Sequence, residues 1–374
     1  MLNSKLKEHY IFGDHLIDDK AKEQFFDCLA QDYSLRGALM ADAHMGYSMP
    51  IGGVMWTDGV IVPSYVGYDI GCGMQAVMTS YDPYQMKHFS QPIYDMLKYK
   101  IPTGFRHHTW QTAVAKCPEV IRAGASATFQ DIYNNLDADL QLGTMGGNNH
   151  YIEIGIDNRN RVCFVVHSGS RGLGHKIATH YMRAAAGGKA KEGHYPLILD
   201  SQIGQEYFHD MLACLQWAKH NRKLLLQQVD ECLLRMGFEG EIHHPNRIDT
   251  IHNYAEHVKD LQLIHRKGAT KIHSNLRSII AGNPVAGTFI VVGNASRPVS
   301  LDSVSHGMGR TGSRKEANAT ITHDMVTDQM GTVVGDIKRE EAPSAYKSVG
   351  DVMDAQADLL IIENQIHPLL CLKG

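Results

Sequence analysis

The amino-acid sequence predicts an α+β protein with a mixed β-sheet core, flanking helices and one long helical excursion. Three observations lead to this class. Residues 39–79 are rich in Gly, Val, Ile and Met and poor in charge, which is typical of short buried strands joined by tight turns. Residues 162–166 repeat this apolar pattern after a glycine-rich loop. Residues 203–236 instead carry apolar side chains at helical spacing, and Gly237 follows as a stop signal.

The remaining elements follow from similar patterns. Further helices are expected near residues 19–32, 83–99, 109–123 and 349–360. A polar, glycine-rich loop is expected at 293–313, and a short tail after the last helix. No internal repeat, low-complexity tract or linker rich in Pro, Gly and Ser divides the chain. We therefore expect one domain over residues 1–374, with the helical excursion at about 201–236 inside it.

The composition is that of an ordinary soluble globular protein, with 43% hydrophobic and 20% charged residues. The N-terminus lacks the apolar segment of a signal peptide, and no run of 18 apolar residues predicts a membrane span. Seven cysteines without a disulfide-like spacing indicate free thiols, so we expect a cytoplasmic protein without membrane attachment. The formal net charge of −4 disfavours a general nucleic-acid coat protein, yet it permits an enzyme with a local basic groove.

Histidine is the unusual component, with 22 residues. Its imidazole is the commonest metal ligand and a common proton carrier near neutral pH. Many of these residues will lie on the surface. The pairs His107-His108 and His243-His244 stand in polar, turn-like settings, and we expect them to be exposed rather than ligating.

The first candidate metal-binding motif is DIGC, which ends at Cys72. Asp69 and Cys72 lie three residues apart on a glycine turn, and a carboxylate with a thiolate suits a transition metal such as Mn, Fe or Zn. Taken alone, the motif is more often a packed cysteine beside a turn-capping aspartate. Asp42 and His44 lie shortly before it, where they either support the site or cap a turn.

Three further motifs each carry a histidine in a loop. His150 ends the glycine loop GTMGGNNH, whose backbone N–H groups can face phosphates. His167 follows an apolar strand and begins HSGSRGLG, where Arg171 adds an anion-binding group. His252 precedes Asn253 near the start of an expected helix. None of these segments contains a P-loop or a Rossmann glycine motif.

The last motif is SHGMGR, in which His306 is flanked by glycines. Arg310 ends this motif and Arg314 follows shortly after. A histidine in this setting can act as a nucleophile on phosphorus while arginines hold the phosphate oxygens. Each histidine singly is more often structural, but four loop-borne histidines with one Asp/Cys pair predict a catalytic metal site, because loops on a rigid scaffold carry catalytic residues.

In this order the motifs resemble the RtcB family of RNA-splicing ligases, from about residue 40 to the end of the chain. The matching segments are DAHMG (42–46), VGYDIGCGM (66–74), GTMGGNNHYIE (143–153), HSGSRGLGH (167–175), HN (252–253), RKGA (266–269), SHGMGR (305–310), AYK (345–347) and LKG (372–374). The resemblance implies an enzyme, a GTP- and manganese-dependent RNA ligase active in RNA repair or tRNA splicing. Its partners would be RNA with a 2′,3′-cyclic phosphate or 3′-phosphate end and RNA with a 5′-hydroxyl end, with room for an activating protein partner.

The resemblance also implies roles for individual residues. Two Mn²⁺ ions would be held by Asp69, Cys72, His150, His167 and His252, with Cys72 as the bridge. His306 would carry GMP through a nitrogen–phosphorus bond before an activated RNA 3′ end forms. The nucleotide would contact Asn149, Glu153, Gly307, Met308, Gly309, Tyr346 and Lys373. Phosphates of RNA or nucleotide would contact Arg171, Arg310 and Arg314.

The sequence departs from the family pattern in three respects. The chain is shorter than familiar members. The segment 284–288, PVAGT, followed by Phe289, replaces a PGSMGT-type loop of the nucleotide pocket, and Asn148 and Met308 replace small residues. These changes indicate a divergent paralogue specialised for repairing cleaved RNA, a hypothesis that rests on analogy.

Two other functions stay open. A metal-dependent phosphodiesterase that only opens cyclic phosphates would need the metals but not His306. A non-catalytic RNA-end-binding protein would carry a vestigial site, which the retention of every motif, including Lys373, disfavours. The ligand types alone do not select manganese over zinc or iron.

Overall fold

The computed structural model describes residues 7–189, 193–243, 247–294 and 298–374. The strands are β1 (His9–Ile11), β2 (Ser34–His44), β3 (Ile51–Asp58), β4 (Val60–Ile61), β5 (Gly73–Met78), β6 (Tyr151–Asp157), β7 (Val162–Ser168), β8 (Leu197–Ile198), β9 (Ile248–Ile251), β10 (Asn253–Lys259), β11 (Gln262–Lys267), β12 (Ala269–Lys271), β13 (Arg277–Ala281), β14 (Thr288–Gly293), β15 (Ser303–Ser305) and β16 (Leu360–Lys373). The helices are α1 (Asp19–Ala30), α2 (Pro63–Val66), α3 (Pro83–His88), α4 (Ser90–Lys100), α5 (Glu119–Arg122), α6 (Ala127–Asn135), α7 (Arg171–Ala185), α8 (Gln202–Arg235), α9 (Arg314–Thr320), α10 (His323–Met330) and α11 (Val349–Asp354). The mixture of helices and sheets confirms the α+β class.

Two larger sheets form the framework of the described chain. One has seven strands in the order β13-β14-β16-β6-β7-β5-β9, and every neighbouring pair in it is antiparallel. The other has five strands in the order β1-β2-β3-β11-β10 and is mixed, because β1 runs parallel to β2. Strands β12 and β15 form a small pair of their own.

Side chains pack on both faces of the seven-stranded sheet at β7, which explains why this strand is a nearly continuous apolar run. Phe164 of β7 packs in one core cluster with Leu225 and Val229 of α8. Val165 points to the opposite face, where it shares a cluster with Ile279 of β13. Successive strand residues point to opposite faces, so the strand buries both sets of side chains.

The long helix predicted as an excursion forms as α8, 34 residues from Gln202 to Arg235. Ser201 caps it by accepting a hydrogen bond from the N–H of Gly204. Most of its buried apolar residues belong to two core clusters, so the helix packs back along the sheet. In the described ranges, no helix combines the length and apolarity that a membrane crossing needs.

The helix expected at 109–123 is wrong, since only Glu119–Arg122 is helical there. The hydroxyl of Thr112 accepts a hydrogen bond from the N–H of Thr109, and such local bonds compete with a helix. Pro118 also disfavours helical backbone in the residue before it.

Two further expectations are wrong. The residues after α11 form no tail, because β16 lies in the middle of the large sheet and accommodates Pro368 at a bulge. Asn253 begins strand β10 rather than a helix. Of the two histidine pairs expected to be exposed, His108 is buried, His243 is half-buried and His244 lies outside the described residues.

Candidate metal centre and nucleotide site

Four of the predicted ligands meet at one edge of the seven-stranded sheet. Cys72 immediately precedes β5, His150 precedes β6, His167 lies near the end of β7, and His252 follows β9. Neighbouring strands in this sheet are antiparallel, so the start of one lies beside the end of the next; Tyr151, for example, stands opposite His167. Topology therefore brings these residues together although up to 180 positions separate them in sequence.

The donor atoms of the five predicted ligands form one cluster. The Sγ atom of Cys72 lies 3.2 Å from Nε2 of His150 and 3.3 Å from Nε2 of His167. The Nε2 atoms of His167 and His252 are 3.4 Å apart, and Oδ2 of Asp69 is 3.0 Å from Nε2 of His150. The cluster divides into two groups of three that share Cys72, namely Asp69/Cys72/His150 and Cys72/His167/His252.

These residues fit a metal ion. Ligands bound at about 2.0–2.3 Å stand roughly 3–4 Å from each other around one ion, which is the spacing seen here. Burial and neighbouring positive groups hold the pKa of His167 and of His252 well below its usual value, so both imidazoles are neutral and able to ligate. Burial and the Asp69 carboxylate raise the pKa of the Cys72 thiol, so a thiolate there requires a nearby cation.

Two glycines allow this close packing. A Cβ atom on Gly146 would come within 2.0 Å of Nδ1 of His150, and one on Gly169 within 2.2 Å of Oδ1 of Asp69. No larger residue fits at either position without displacing a ligand. The glycines of these loops therefore set the distance between the backbone and the cluster.

Helix α8 holds the loops beneath the cluster through two buried residues that the sequence reasoning missed. Asn221 accepts a hydrogen bond from the N–H of Gly143 at 2.7 Å and donates to the carbonyl of Thr144 at 3.1 Å. The guanidinium of Arg222 donates to the carbonyl oxygens of Gly71 and Ser168, at 2.8 and 3.0 Å. The helix carries many other polar residues, so no local signal in the sequence set these two apart.

His306 lies beside the metal-ligand cluster, with its ring centroid 4.6 Å from that of His252. It follows β15, and its Nδ1 atom stands 2.7 Å from Oδ2 of Asp42 on β2. The same carboxylate oxygen accepts a hydrogen bond from the N–H of Gly307 at 3.1 Å. Asp42 thus faces Nδ1 and leaves Nε2 as the nitrogen available for bonding. Asp42 lies within a strand and faces His306, so it supports the site rather than capping a turn.

A buried carboxylate, Glu341, links the predicted nucleotide and phosphate residues. Its Oε2 atom accepts hydrogen bonds from Nζ of Lys373 at 2.6 Å and from the hydroxyl of Tyr346. Its Oε1 atom lies 3.4 Å from nitrogens of both Arg310 and Arg314. Burial raises the pKa of Glu341, but Lys373 and the other partners outweigh it and bring it to about 2. Sequence reasoning missed this residue, although an acid shortly before the AYK segment was the available signal.

Glu153 lies on β6 with an Oε1 atom that has no partner within the described structure. Burial raises its pKa to about 8. It lines a small cavity together with Lys373, Tyr151 and the divergent loop residues Pro284 and Gly287. The divergent segment 284–288 therefore lines the same cavity as the predicted nucleotide-binding residues Glu153 and Lys373.

The other predicted contact residues differ in exposure. Asn149 is half-buried on the glycine loop, whereas the side chain of Met308 is buried in a core cluster. Arg171 donates to the hydroxyl of Thr144 at 3.0 Å and to the carbonyl of Gly104 at 2.5 Å. Arg171 thus already stabilises the glycine loop.

The α+β fold and its cluster of thiol, imidazole and carboxylate groups, with a separate histidine beside an aspartate, define a candidate metal centre equipped for group transfer. A family model described as "tRNA-splicing ligase RtcB" matches residues 31–374. The chain therefore belongs to the RtcB family.

Curated relatives match nearly the whole chain. The protein named "RNA-splicing ligase RtcB" of Escherichia coli (strain K12) is 30% identical, over 96% of this chain and 95% of its own length. The "tRNA-splicing ligase RtcB" of Thermococcus kodakarensis is 27% identical, over 96% and 93%. The "RNA-splicing ligase RtcB" of Mycobacterium bovis is 29% identical, over 90% and 96%. Although the chain is short, its matches therefore cover nearly the full length of these three relatives.

Proposed function

We propose that this protein is a GTP- and manganese-dependent RNA ligase, in which residues 1–374 act as one catalytic domain in RNA repair or tRNA splicing. It joins RNA ending in a 2′,3′-cyclic phosphate or 3′-phosphate to RNA with a 5′-hydroxyl. The observation that carries the proposal is the position of His306, oriented by Asp42 and adjacent to the metal-ligand cluster. The family relationship supports it.

In the first step, Nε2 of His306 attacks the α-phosphorus of GTP. A nitrogen–phosphorus bond forms, the bond to the bridging oxygen breaks, and pyrophosphate leaves. The Asp42 carboxylate stabilises the positive charge that develops on the imidazole, as an aspartate does for the histidine of a catalytic triad. Burial raises the pKa of Asp42, but His306 outweighs it and keeps it below its usual value, so the carboxylate is charged.

Asp69, Cys72, His150, His167 and His252 would hold two manganese ions, and Cys72 belongs to both groups of possible ligands. When bound, the ions supply positive charge that neutralises phosphate oxygens and orients the attacking and departing groups. The 3.0–3.4 Å spacings of the donor atoms support this assignment.

Guanine recognition falls to the cavity at Glu153. Its unpartnered oxygen suits the N–H groups on one edge of guanine, and Lys373 can donate to the neighbouring oxygen of the base. The hydroxyl of Tyr346 accepts a hydrogen bond from Lys373 at 3.3 Å and helps to hold this lysine beside the cavity. Asn149 and the turn Gly307–Gly309 would lie near the nucleotide phosphates.

In the later steps, an oxygen of the RNA 3′-phosphate attacks the phosphorus held by His306, and the imidazole leaves. The 3′ end then carries GMP, and the 5′-hydroxyl of the second RNA attacks the 3′-phosphorus while GMP departs. This activation is needed because a phosphate monoester lacks a good leaving group. Arg310 and Arg314, which lie 3.4 Å from the Glu341 carboxylate, would pair with phosphate oxygens, while Arg171 supports the loop next to His150.

The test is incubation with Mn²⁺ and GTP labelled at the α-phosphate, followed by denaturing electrophoresis. We expect an acid-labile label on the wild-type protein and none on His306→Ala. The variant His323→Ala removes an exposed histidine of α10 and should keep the label. An unlabelled wild-type protein under every metal would refute the nucleotidyl-transfer mechanism. A wild-type protein that opens cyclic phosphates but neither ligates RNA nor takes up the label would instead identify the phosphodiesterase alternative.

A further inference from the structure

A long irregular segment lies against the metal centre and exposes aromatic side chains. The eighteen residues 101–118, here named the aromatic loop, connect α4 to α5 without forming a helix or strand. Loops of this length inside a compact fold are uncommon and are usually functional or disordered. The contacts of this loop indicate a functional element.

The aromatic loop is anchored to the segment that carries His150. The N–H of Met145 donates to the carbonyl of Pro102 at 2.9 Å, and the N–H of Gly104 donates to the carbonyl of Gly146 at 3.3 Å. Further along, the N–H of His108 donates to the carbonyl of Leu140 at 2.9 Å. The backbone of the loop is therefore held on both sides of Phe105.

These anchors place Phe105 close to the cluster. Gly104, its neighbour, contacts Gly146, whose Cα packs on the imidazole of His150. Consecutive Cα atoms are about 3.8 Å apart, so Phe105 begins only a few residue lengths from a predicted metal ligand. The guanidinium of Arg171, which donates to the carbonyl of Gly104, ties the two segments together.

The side chains of the loop are those expected of a surface that binds single-stranded nucleic acid. Phe105 is fully exposed, and Trp110 is 62% exposed. Arg106 lies between them and is also exposed, as is Lys116. The loop contains no Asp or Glu, although the whole chain has a net charge of −4. Single exposed aromatics are common, but two aromatics with one cation between them and a second beyond them on an anchored loop combine base stacking with phosphate attraction.

We propose that the aromatic loop is a docking surface for the single-stranded RNA end that enters the metal centre, with Phe105 and Trp110 stacking on its bases. This inference rests on the proposed ligase function and extends it to the nucleotides beside the reacting end. The loop is hydrogen-bonded to the segment that carries His150, which places it beside the proposed reaction centre. This position favours RNA over a protein as the occupant. Stacking on aromatic rings tolerates any base, so the surface gives affinity without sequence preference.

The test is fluorescence anisotropy of a labelled single-stranded oligouridylate with a 3′-phosphate, titrated with protein in the presence of Mn²⁺. Loss of one aromatic ring that stacks on a base weakens RNA binding by roughly 5- to 150-fold. We expect this effect for Phe105→Ala and for Trp110→Ala. Trp110→Phe keeps a ring and should restore most of the affinity. Tyr84→Ala removes an exposed aromatic of α3 outside the loop and should bind like the wild type.

RNA binding by Phe105→Ala and Trp110→Ala within about twofold of the wild type would overturn the docking surface. If the variants bind RNA like the wild type but no longer bind a protein that the wild type binds, the loop is a protein-binding surface, and the proposal is likewise overturned. Thermal unfolding of each variant checks that the exposed substitutions leave the fold intact. Failure of GMP labelling in the wild-type protein would refute the proposed ligase function, which is a separate outcome from unchanged RNA affinity.

Discussion

The Oδ2 atom of Asp42 lies 2.7 Å from the Nδ1 atom of His306, although 264 positions separate the two residues. The pair joins β2 of the five-stranded sheet to the turn after β15, so it links that sheet to the small pair of strands β12 and β15. The N–H of Asp42 also donates to the hydroxyl of Ser305 at 3.2 Å. The orientation of the proposed nucleophile thus depends on a second sheet.

Replacing Asp42 with Asn should lower the rate of GMP attachment to His306 by about a hundredfold or more, because the amide no longer stabilises a charged imidazole. The measurement is single-turnover labelling with α-labelled GTP. Asp58→Asn, at an exposed carboxylate ending β3, is the matched control and should label at the wild-type rate. Equal rates in Asp42→Asn and the wild type would contradict the role given to Asp42.

Metal binding should stabilise the protein through Cys72. At an Mn²⁺ concentration of about 100 times Kd, the free energy of unfolding should rise by about 2.7 kcal/mol, which thermal unfolding with and without the ion detects. Cys72→Ala should lose most of this gain, since Cys72 belongs to both donor groups. Cys117→Ala, at another buried thiol, should retain the gain. An equal metal-dependent gain in both variants would show that Cys72 does not bind the ion.

Acid should destabilise the protein through Glu341. Its pKa is about 2 in the folded protein against a usual 4.5, so the unfolded chain binds the proton first. The stabilisation is therefore complete above pH 4.5 and disappears as the pH falls towards 2. A shift of this size corresponds to about 3 kcal/mol.

Denaturant titrations between neutral and acid pH measure this dependence. Glu341→Gln should be less stable at neutral pH and should lose less stability on acidification than the wild type. Glu239→Gln alters an exposed carboxylate and should follow the wild-type curve. Parallel curves for Glu341→Gln and the wild type would exclude Glu341 as the cause of the stability loss in acid.

Arg222 should be a large contributor to stability. Arg222→Met leaves two carbonyl oxygens and the Asp249 carboxylate without their buried donor, and removal of one partner from a buried ion pair costs about 3–5 kcal/mol. Lys219→Met removes an exposed cation 3.9 Å from the same carboxylate and should cost less than about 1 kcal/mol. Equilibrium urea unfolding compares the two variants. Similar losses of unfolding free energy in both variants would contradict a special contribution of the buried Arg222 to stability.

Several elements could be predicted because their signals are local. The apolar run of β7 and the helical spacing of α8 each appear in a short window of sequence, and both elements form close to their predicted bounds. The glycine-flanked histidines stood out for the same reason. The helix expected at 109–123 failed because side-chain to backbone bonds at Thr109 compete with helix formation there.

Other features depend on contacts between distant residues. Glu341 carries no motif of its own, and it becomes informative only when Lys373 and Arg310 converge on it. Asn221 and Arg222 look like ordinary polar residues of a helix until the helix packs beneath the glycine loops. Strand β16 lacks clear alternation because it lies between two neighbouring strands and its pairing register shifts at bulges.

The sequence by itself determined the α+β class, the long helix and the set of residues able to ligate a metal or attack phosphorus, because residue chemistry and local spacing are properties of the chain. Only the tertiary structure decided that Cys72 lies within 3.3 Å of two imidazoles and that Asp42 faces His306. Those distances arise from antiparallel pairing of strands far apart in sequence and from the packing of two sheets. Such long-range contacts leave no periodic pattern in a single chain.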